Sequence, residues 1–206
     1  EGVDDLISSN VDVIGDRIEA GTILIAGAIT NGNIEIVFRN PDHISSVIAK
    51  LEESGAKVSV NNDIIGIDAT DFDADAVDIS TAIYPGFPTD MQAQWTVFMT
   101  IAGGTSTVTD TIYFDRFKHI PELVRLGANI EMIGNSAVIK GVKNLKGAKV
   151  MSTDLRASAS LVLGGLTAQG VTEVLRIYHL DRGYERIENK LKSLGADIER
   201  VSTKEF

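Results

Sequence analysis

The chain has 206 residues, no cysteine, and 19 Lys and Arg against 29 Asp and Glu, a formal charge of −10. Disulfides, thiolate metal sites and a cysteine nucleophile within it are excluded, and the acidic balance argues against nucleic acid or a membrane surface as partner. Hydrophobic residues at 44% and charged residues at 23% match ordinary globular usage, and a chain of this length buries a core without staples.

The chain opens Glu1-Gly2-Val3-Asp4-Asp5, with neither a basic start nor an apolar run. The longest uncharged stretch, residues 91–109, carries Gln, Gly, Ser and Thr and makes a poor bilayer span. The first residue is not Met, which fits a chain cut from something longer.

An internal repeat organises the rest. An apolar helix is predicted over residues 16–30, a β-branched strand over 33–38, and a second helix over 42–53, ending at Ser54-Gly55-Ala56. Strands over 57–60 and 64–67 flank the turn Asn61-Asn62-Asp63. Residues 68–77 form an acidic loop to the next repeat. There the order recurs: helix 90–102, strand 106–114, helix 120–125, Leu126-Gly127-Ala128, then strands 129–133 and 137–140. It recurs once more as helix 154–168, strand 171–178, helix 184–193, Leu194-Gly195-Ala196 and a strand over 197–201. The closing glycines Gly55, Gly127 and Gly195 stand 72 and 68 residues apart. The repeats therefore span about 11–68, 78–141 and 142–206 of one domain.

The second helices are amphipathic, with Val47, Ile48 and Leu51 on one face. The first helices are apolar nearly all round, as in Ile23-Leu24-Ile25-Ala26-Gly27-Ala28-Ile29. A helix without a polar face belongs inside. The expected fold is α/β, with three buried helices at the centre, sheets and amphipathic helices outside, and pseudo-threefold symmetry. Trp95, Phe98 and Met99, at helical spacing, are assigned to that core.

Polar residues at helix starts are the candidate sites. Thr89 followed by Gln92 reads as a capping box. Asp90 is then either a first-turn acid favoured by the helix dipole, which spacing alone favours, or a general base on a rigid loop. Asp154 is its counterpart in the third repeat, and Arg156 stands where the dipole disfavours a cation, so anion binding would explain it. Asp115-Arg116 and Asp181-Arg182 each follow their repeat's middle glycine by the same distance. Arg116, Arg156 and Arg182 could thus converge at one end, oriented by Asp115, Asp154 and Asp181; three ordinary Asp–Arg caps are the alternative. His43, His119 and His179 show no metal-ligand spacing, and no phosphate-loop or dinucleotide motif occurs.

Four stretches carry a resemblance: Phe87-Pro88-Thr89-Asp90-Met91-Gln92-Ala93-Gln94, Arg116-Phe117-Lys118-His119-Ile120-Pro121-Glu122-Leu123, Thr153-Asp154-Leu155-Arg156-Ala157-Ser158-Ala159-Ser160-Leu161-Val162-Leu163 and Ile177-Tyr178-His179-Leu180-Asp181-Arg182-Gly183-Tyr184-Glu185. In order, along essentially the whole chain, the sequence resembles the enolpyruvyl transferase family, in its UDP-sugar branch. The resemblance implies a two-domain bacterial cytoplasmic enzyme whose domains are each an inside-out α/β barrel of three repeats, with the active site between them. It implies transfer of the enolpyruvyl group of phosphoenolpyruvate to the 3′-hydroxyl of UDP-N-acetylglucosamine for peptidoglycan synthesis, with release of phosphate and with no metal or organic cofactor. By the same resemblance Asp90 contacts the 3′-hydroxyl as its base, and Ile112 and Tyr113 line the UDP-sugar site. Arg116, Arg156 and Arg182 face the cleft, the last two toward phosphoenolpyruvate, with Asp154 beside them.

The family's other domain brings a cysteine loop, a Lys-Asn pair and further arginines, none of which matches here. The chain is therefore read as the domain contributing Asp90, without its partner and with negligible turnover alone. The family's N-terminal segment has no match either, so an edge strand is expected to lack its neighbour. A stand-alone binding module of the same fold is the alternative from another class. A shikimate-phosphate transferase is the third reading.

Overall fold

The computed structural model describes residues 2, 3 and 5–202. Its first helix, α1 (Arg17–Ile29), starts where Asp16 Oδ1 accepts from the backbone N–H groups of Ile18 at 2.8 Å and Glu19 at 3.2 Å. That cap satisfies two of the orphan donors of the first turn. Past it, Ala20 to Ile29 are all buried. The strand β1 (Asn33–Val37) follows, then α2 (Ser45–Glu53) behind a 3-10 turn, then the hairpin β2 (Lys57–Asn61) and β3 (Ile64–Asp68). Asn62 takes the left-handed conformation (φ 54°) at the hairpin tip. The sheet is antiparallel in the order β1-β3-β2.

The second unit starts with β4 (Ile79–Ser80) and α3 (Gln92–Met99), every residue of which is buried. It continues with β5 (Thr105–Thr109), α4 (Ile120–Arg125), β6 (Asn129–Ile133) and β7 (Ser136–Lys140), in a sheet of order β4-β5-β7-β6. The third has β8 (Lys149–Met151), α5 (Leu155–Thr167), β9 (Glu173–Leu175) and α6 (Ile187–Ser193), with β8 and β9 parallel. Gly55, Gly127 and Gly195 close α2, α4 and α6 at φ 94°, 92° and 101°, a conformation that glycine alone adopts without strain.

The helices α1, α3 and α5 pack on one another. Small residues set the spacing: a Cβ on Gly164 of α5 would stand 3.0 Å from Leu126 and 3.2 Å from Val97 of α3. Trp95 and Phe98 meet edge to face at 5.4 Å within α3, and the Trp95 indole N–H donates to the Val77 carbonyl at 3.2 Å. Strands of each sheet pack on these helices: β1 and β3 on α1, β5 and β7 on α3, and β9 on α5.

Several expected bounds shift, each for a local reason. The strand expected over 106–114 ends at Thr109, because the Asp110 carboxylate accepts from the backbone of Ile112 at 2.9 Å and Tyr113 at 3.0 Å and turns the chain. The strand expected over 171–178 is only β9; Arg176 is left-handed (φ 56°) and a 3-10 helix, Ile177–Arg182, takes over. The helix expected from 184 starts at Ile187, after left-handed Arg186. Residues 197–201 join no ladder and instead line a groove with β9. The capping box also fails. Pro88, not Thr89, precedes the first turn, and the Thr89 hydroxyl bonds Asp110 and Arg116.

Candidate active site

Asp90 sits in the 3-10 turn Thr89–Met91 that leads into α3. Pro88 holds the extended entry (φ −73°, ψ 134°) that turns the chain into the helix. Arg156 lies in the first turn of α5, whose cap is Asp154: its Oδ1 accepts from the backbone N–H of Arg156 and of Ala157, both at 2.9 Å. Arg116 comes from the loop between β5 and α4. The three side chains meet. Asp90 Oδ1 faces Arg116 Nη2 at 2.7 Å, and Asp90 Oδ2 faces Arg156 Nη2 at 2.8 Å.

The clamp is braced on both sides. Arg116 Nη1 donates to Thr89 Oγ1 at 3.0 Å, and that hydroxyl donates to Asp110 Oδ2 at 2.7 Å. Asp110, fully buried, also accepts from Thr81 at 2.7 Å. On the other side Arg156 Nη1 approaches the Tyr184 hydroxyl at 3.4 Å. Asp90 keeps 36% of its side-chain surface, so the clamp is at the wall of the molecule and open to a ligand. Two guanidiniums on one carboxylate leave a local positive surplus in an acidic protein.

Electrostatics follow the geometry. Burial pushes the Asp90 carboxyl up, but the hydrogen bond and charge of Arg156, and then those of Arg116, outweigh it and hold the group below the usual carboxylate range. Arg156 is raised although burial opposes it, because Asp90 and the Tyr184 oxygen favour its cation. His119, at the start of α4 and stacked near Phe117, is held down to about 4 by burial; Asp154 pulls it up and Arg116 pushes it down.

The sequence expectation of convergence holds for Arg116 and Arg156, but the partner is Asp90. Asp115, Asp154 and Asp181 do not orient the three arginines. Asp154 serves the α5 backbone, Asp115 lies 4.0 Å from Lys118, and Asp181 pairs with Arg200 at 2.6 Å. The physical reason is placement: Asp115 sits in the loop ahead of α4 and Asp181 in the 3-10 helix Ile177–Arg182, neither on the first turn of the α-helix that follows. Arg182 is exposed and makes no hydrogen bond or ion pair among the described residues, so it stands outside the clamp. Ile112 is half-buried and Tyr113 exposed in the loop beside Arg116, whose guanidinium lies 5.2 Å from the Tyr113 ring centre. Sequence reasoning missed Asp110, Tyr184, Gln94 and Thr22. Asp110 left a signal, being the charge that ends the uncharged stretch 91–109 inside an expected strand. Among the described residues no cluster of His, Asp and Glu is arranged to hold a metal, and no helix is long and apolar enough to cross a membrane.

Asp90, at the entry to α3, is thus held by Arg156 of α5 and by Arg116 from the loop before α4, on an α/β frame. The model of the family described as EPSP synthase (3-phosphoshikimate 1-carboxyvinyltransferase) matches residues 1–191, and the chain belongs to that family. Within it, the chain is 54% identical over 201 residues to the UDP-N-acetylglucosamine 1-carboxyvinyltransferase of Shewanella sp. (strain ANA-3), covering 98% of this chain and 48% of that protein. The same-named protein of Shewanella woodyi (strain ATCC 51908 / MS32) is 52% identical over 202 residues, with the same coverage. The chain spans about half the length of the curated relatives it matches. Among solved structures, the enolpyruvyl transferase NikO from Streptomyces tendae superposes with a TM-score of 0.81 at 27% identity, covering 91% of this chain and 44% of that one. EPSP synthase from Acinetobacter baumannii shares the fold, with a TM-score of 0.71 at 16% identity over 93% of this chain and 45% of that one.

Proposed function

We propose that the chain is one half of a UDP-N-acetylglucosamine 1-carboxyvinyltransferase: an inside-out α/β barrel of three repeats that forms one wall of a cleft. The relatives' identity supports the UDP-sugar branch over the shikimate branch, and the Asp90 clamp is the observation that carries the chemistry. Moving an enolpyruvyl group from a phosphate ester to a sugar hydroxyl makes two demands. The hydroxyl must lose a proton, and the departing phosphate must be met by positive charge. Asp90 serves the first demand, and Arg116 and Arg156 the second, with exposed Arg182 reaching the same anion. Ile112 and Tyr113 border the nucleotide sugar, and Asp154 holds the start of α5.

With a guanidinium on each oxygen, Asp90 is a weaker base than a free carboxylate. The carboxylate and phosphate of phosphoenolpyruvate compete for those same forks. Binding of the anion therefore frees the base at the moment it is needed. The cleft's other wall comes from a second half, which supplies the proton chemistry at the vinyl carbon and excludes water.

The test is enolpyruvyl transfer, measured as phosphate release from phosphoenolpyruvate with UDP-N-acetylglucosamine, by this chain alone and after adding the complementary half of a relative. Transfer only in the mixture supports the reading. Full turnover by the chain alone overturns it, and binding of the nucleotide sugar without turnover in the mixture favours a non-catalytic module.

A further inference from the structure

One side chain outside the clamp touches all three central helices. Tyr184, 1% exposed, lies in the loop between the last 3-10 helix and α6. Its hydroxyl is 2.9 Å from Thr22 Oγ1 on α1, 3.1 Å from Gln94 Nε2 on α3 and 3.4 Å from Arg156 Nη1 on α5. Gln94 Nε2 also reaches Thr22 Oγ1 at 3.1 Å. The four side chains come from all three repeats, and the phenol oxygen is their common point.

The donor inventory orders the protons. The Thr22 hydroxyl donates to the Ile18 carbonyl at 2.8 Å, so it accepts from Tyr184. Arg156 and the Gln94 amide nitrogen have only hydrogens to offer. The phenol therefore gives its proton to Thr22 and turns its lone pairs toward Gln94 and Arg156. Burial reinforces the arrangement by keeping the phenol neutral, raising its pKa against its hydrogen bond with Thr22, the charge and hydrogen bond of Arg156 and the hydrogen bond from Gln94.

Arg156 needs such a partner. It stands at a helix start, where the dipole repels cations, and Asp90 occupies only Nη2. A guanidinium held at one nitrogen can swing, whereas one held at both is fixed in plane.

We propose that Tyr184 is a positioning residue of this cleft: gripped by α1 and α3, its phenol fixes the Arg156 guanidinium, and through it the Asp90 carboxylate. Its consequence for transfer rests on the roles given to Asp90 and Arg156 above; its consequence for their geometry does not.

The experiment uses the 206-residue chain labelled with [13C]aspartate and [15N]arginine. It compares wild type with Tyr184→Phe, which keeps the ring and removes only the oxygen. The readouts are the Asp90 carboxyl titration, assigned with Asp90→Asn, and the rotation rate of the Arg156 guanidinium. The expected result is a fall of about threefold in the Asp90 acid dissociation constant and faster Arg156 rotation, as for a partly lost charge-assisted hydrogen bond. A lower Tm with both readouts unmoved makes the phenol merely structural and overturns the proposal. Should Tyr184→Phe not fold, Thr22→Val decides by the same readouts. It removes the phenol's acceptor, so the freed proton competes with Arg156 and shifts both readouts the same way; no shift overturns the proposal. The completed transferase then separates the two levels. An Asp90 shift accompanied by a lower kcat at unchanged KM for the nucleotide sugar supports both. The same shift with kcat unchanged leaves the positioning intact and overturns the catalytic role of Arg156.

Discussion

Asp90 and Arg156 stand 66 residues apart in the chain and in different repeats, yet their side chains join at 2.8 Å. α3 and α5 pack side by side, and the turn that leads into α3 meets the first turn of α5. What differs between them is the residue presented there: an acid from one and a cation from the other.

Replacing that acid separates its two roles. Asp90→Asn frees both guanidiniums from their internal anion, so the chain is expected to bind inorganic phosphate several-fold more tightly by calorimetry or 31P NMR. In the completed enzyme the same variant is expected to lose about 10²–10⁴-fold in kcat, the usual worth of a general base. Unchanged phosphate affinity would mean that the clamp does not compete with anions.

Asp110 is the knot behind the clamp. Its carboxylate accepts from Thr81, Thr89 and the backbone of Ile112 and Tyr113 with no exposure to water. Asp110→Ala strands these donors, and urea unfolding is expected to show a loss of ~2–4 kcal/mol. Its effect on Arg116 comes through Thr89, so phosphate binding should weaken as well.

Much of this was legible beforehand, and where it was not the cause is local. The helices with small residues, from Ile23 to Ile29 and from Ala157 to Leu163, pointed to burial because they are apolar nearly all round, and the Gly55, Gly127 and Gly195 caps located the amphipathic helices. The failures cluster around side chains that bond the backbone. Asp110 ends β5 early through its own hydrogen bonds, and Thr89 looked like a cap but turned toward Arg116. Pairing by nearness in sequence also misled. Asp115 and Asp181 are next to Arg116 and Arg182 in the chain, but Asp90, from a distant segment, holds Arg116. Tyr184 had no signal at all, since a lone tyrosine among polar neighbours reveals its burial only once three helices have been assembled around it.

His119 supplies the pH dependence. Its folded pKa is about 4 against 6.5 for the free side chain, so the unfolded chain takes up the proton first. Stability is then full above about 6.5, falls as pH drops toward 4, and levels off below as far as this group is concerned. The gap of about 2.5 pH units at ~1.4 kcal/mol each allows roughly 3–4 kcal/mol. His119→Leu is expected to flatten the slope of urea-unfolding free energy between pH 4.5 and 6.5, and an unchanged slope would assign it elsewhere. Asp90 acts in the lower range. Its depressed carboxyl stabilises above its unfolded value, and that contribution is lost as pH falls through the folded one.

Gly141 marks the tightest backbone approach in the second repeat. A Cβ there would lie 1.7 Å from the Ala102 carbonyl oxygen, while Gly141 and Val142 are both tied by backbone hydrogen bonds, to Gly104 at 3.0 Å and Thr100 at 2.7 Å. Neither segment can retreat without breaking those bonds. Gly141→Ala is expected to cost at least ~3 kcal/mol in chemical denaturation, or to abolish folding. A loss under 1 kcal/mol would show that this junction yields.

The near absence of a wet side on α1, α3 and α5 also limits how the molecule can be divided. Each third uses the other two in place of solvent, so none is expected to fold by itself. A polypeptide severed in the acidic connector after β3 would leave a greasy rod bare on either piece. Such pieces should precipitate separately and regain order only when refolded together.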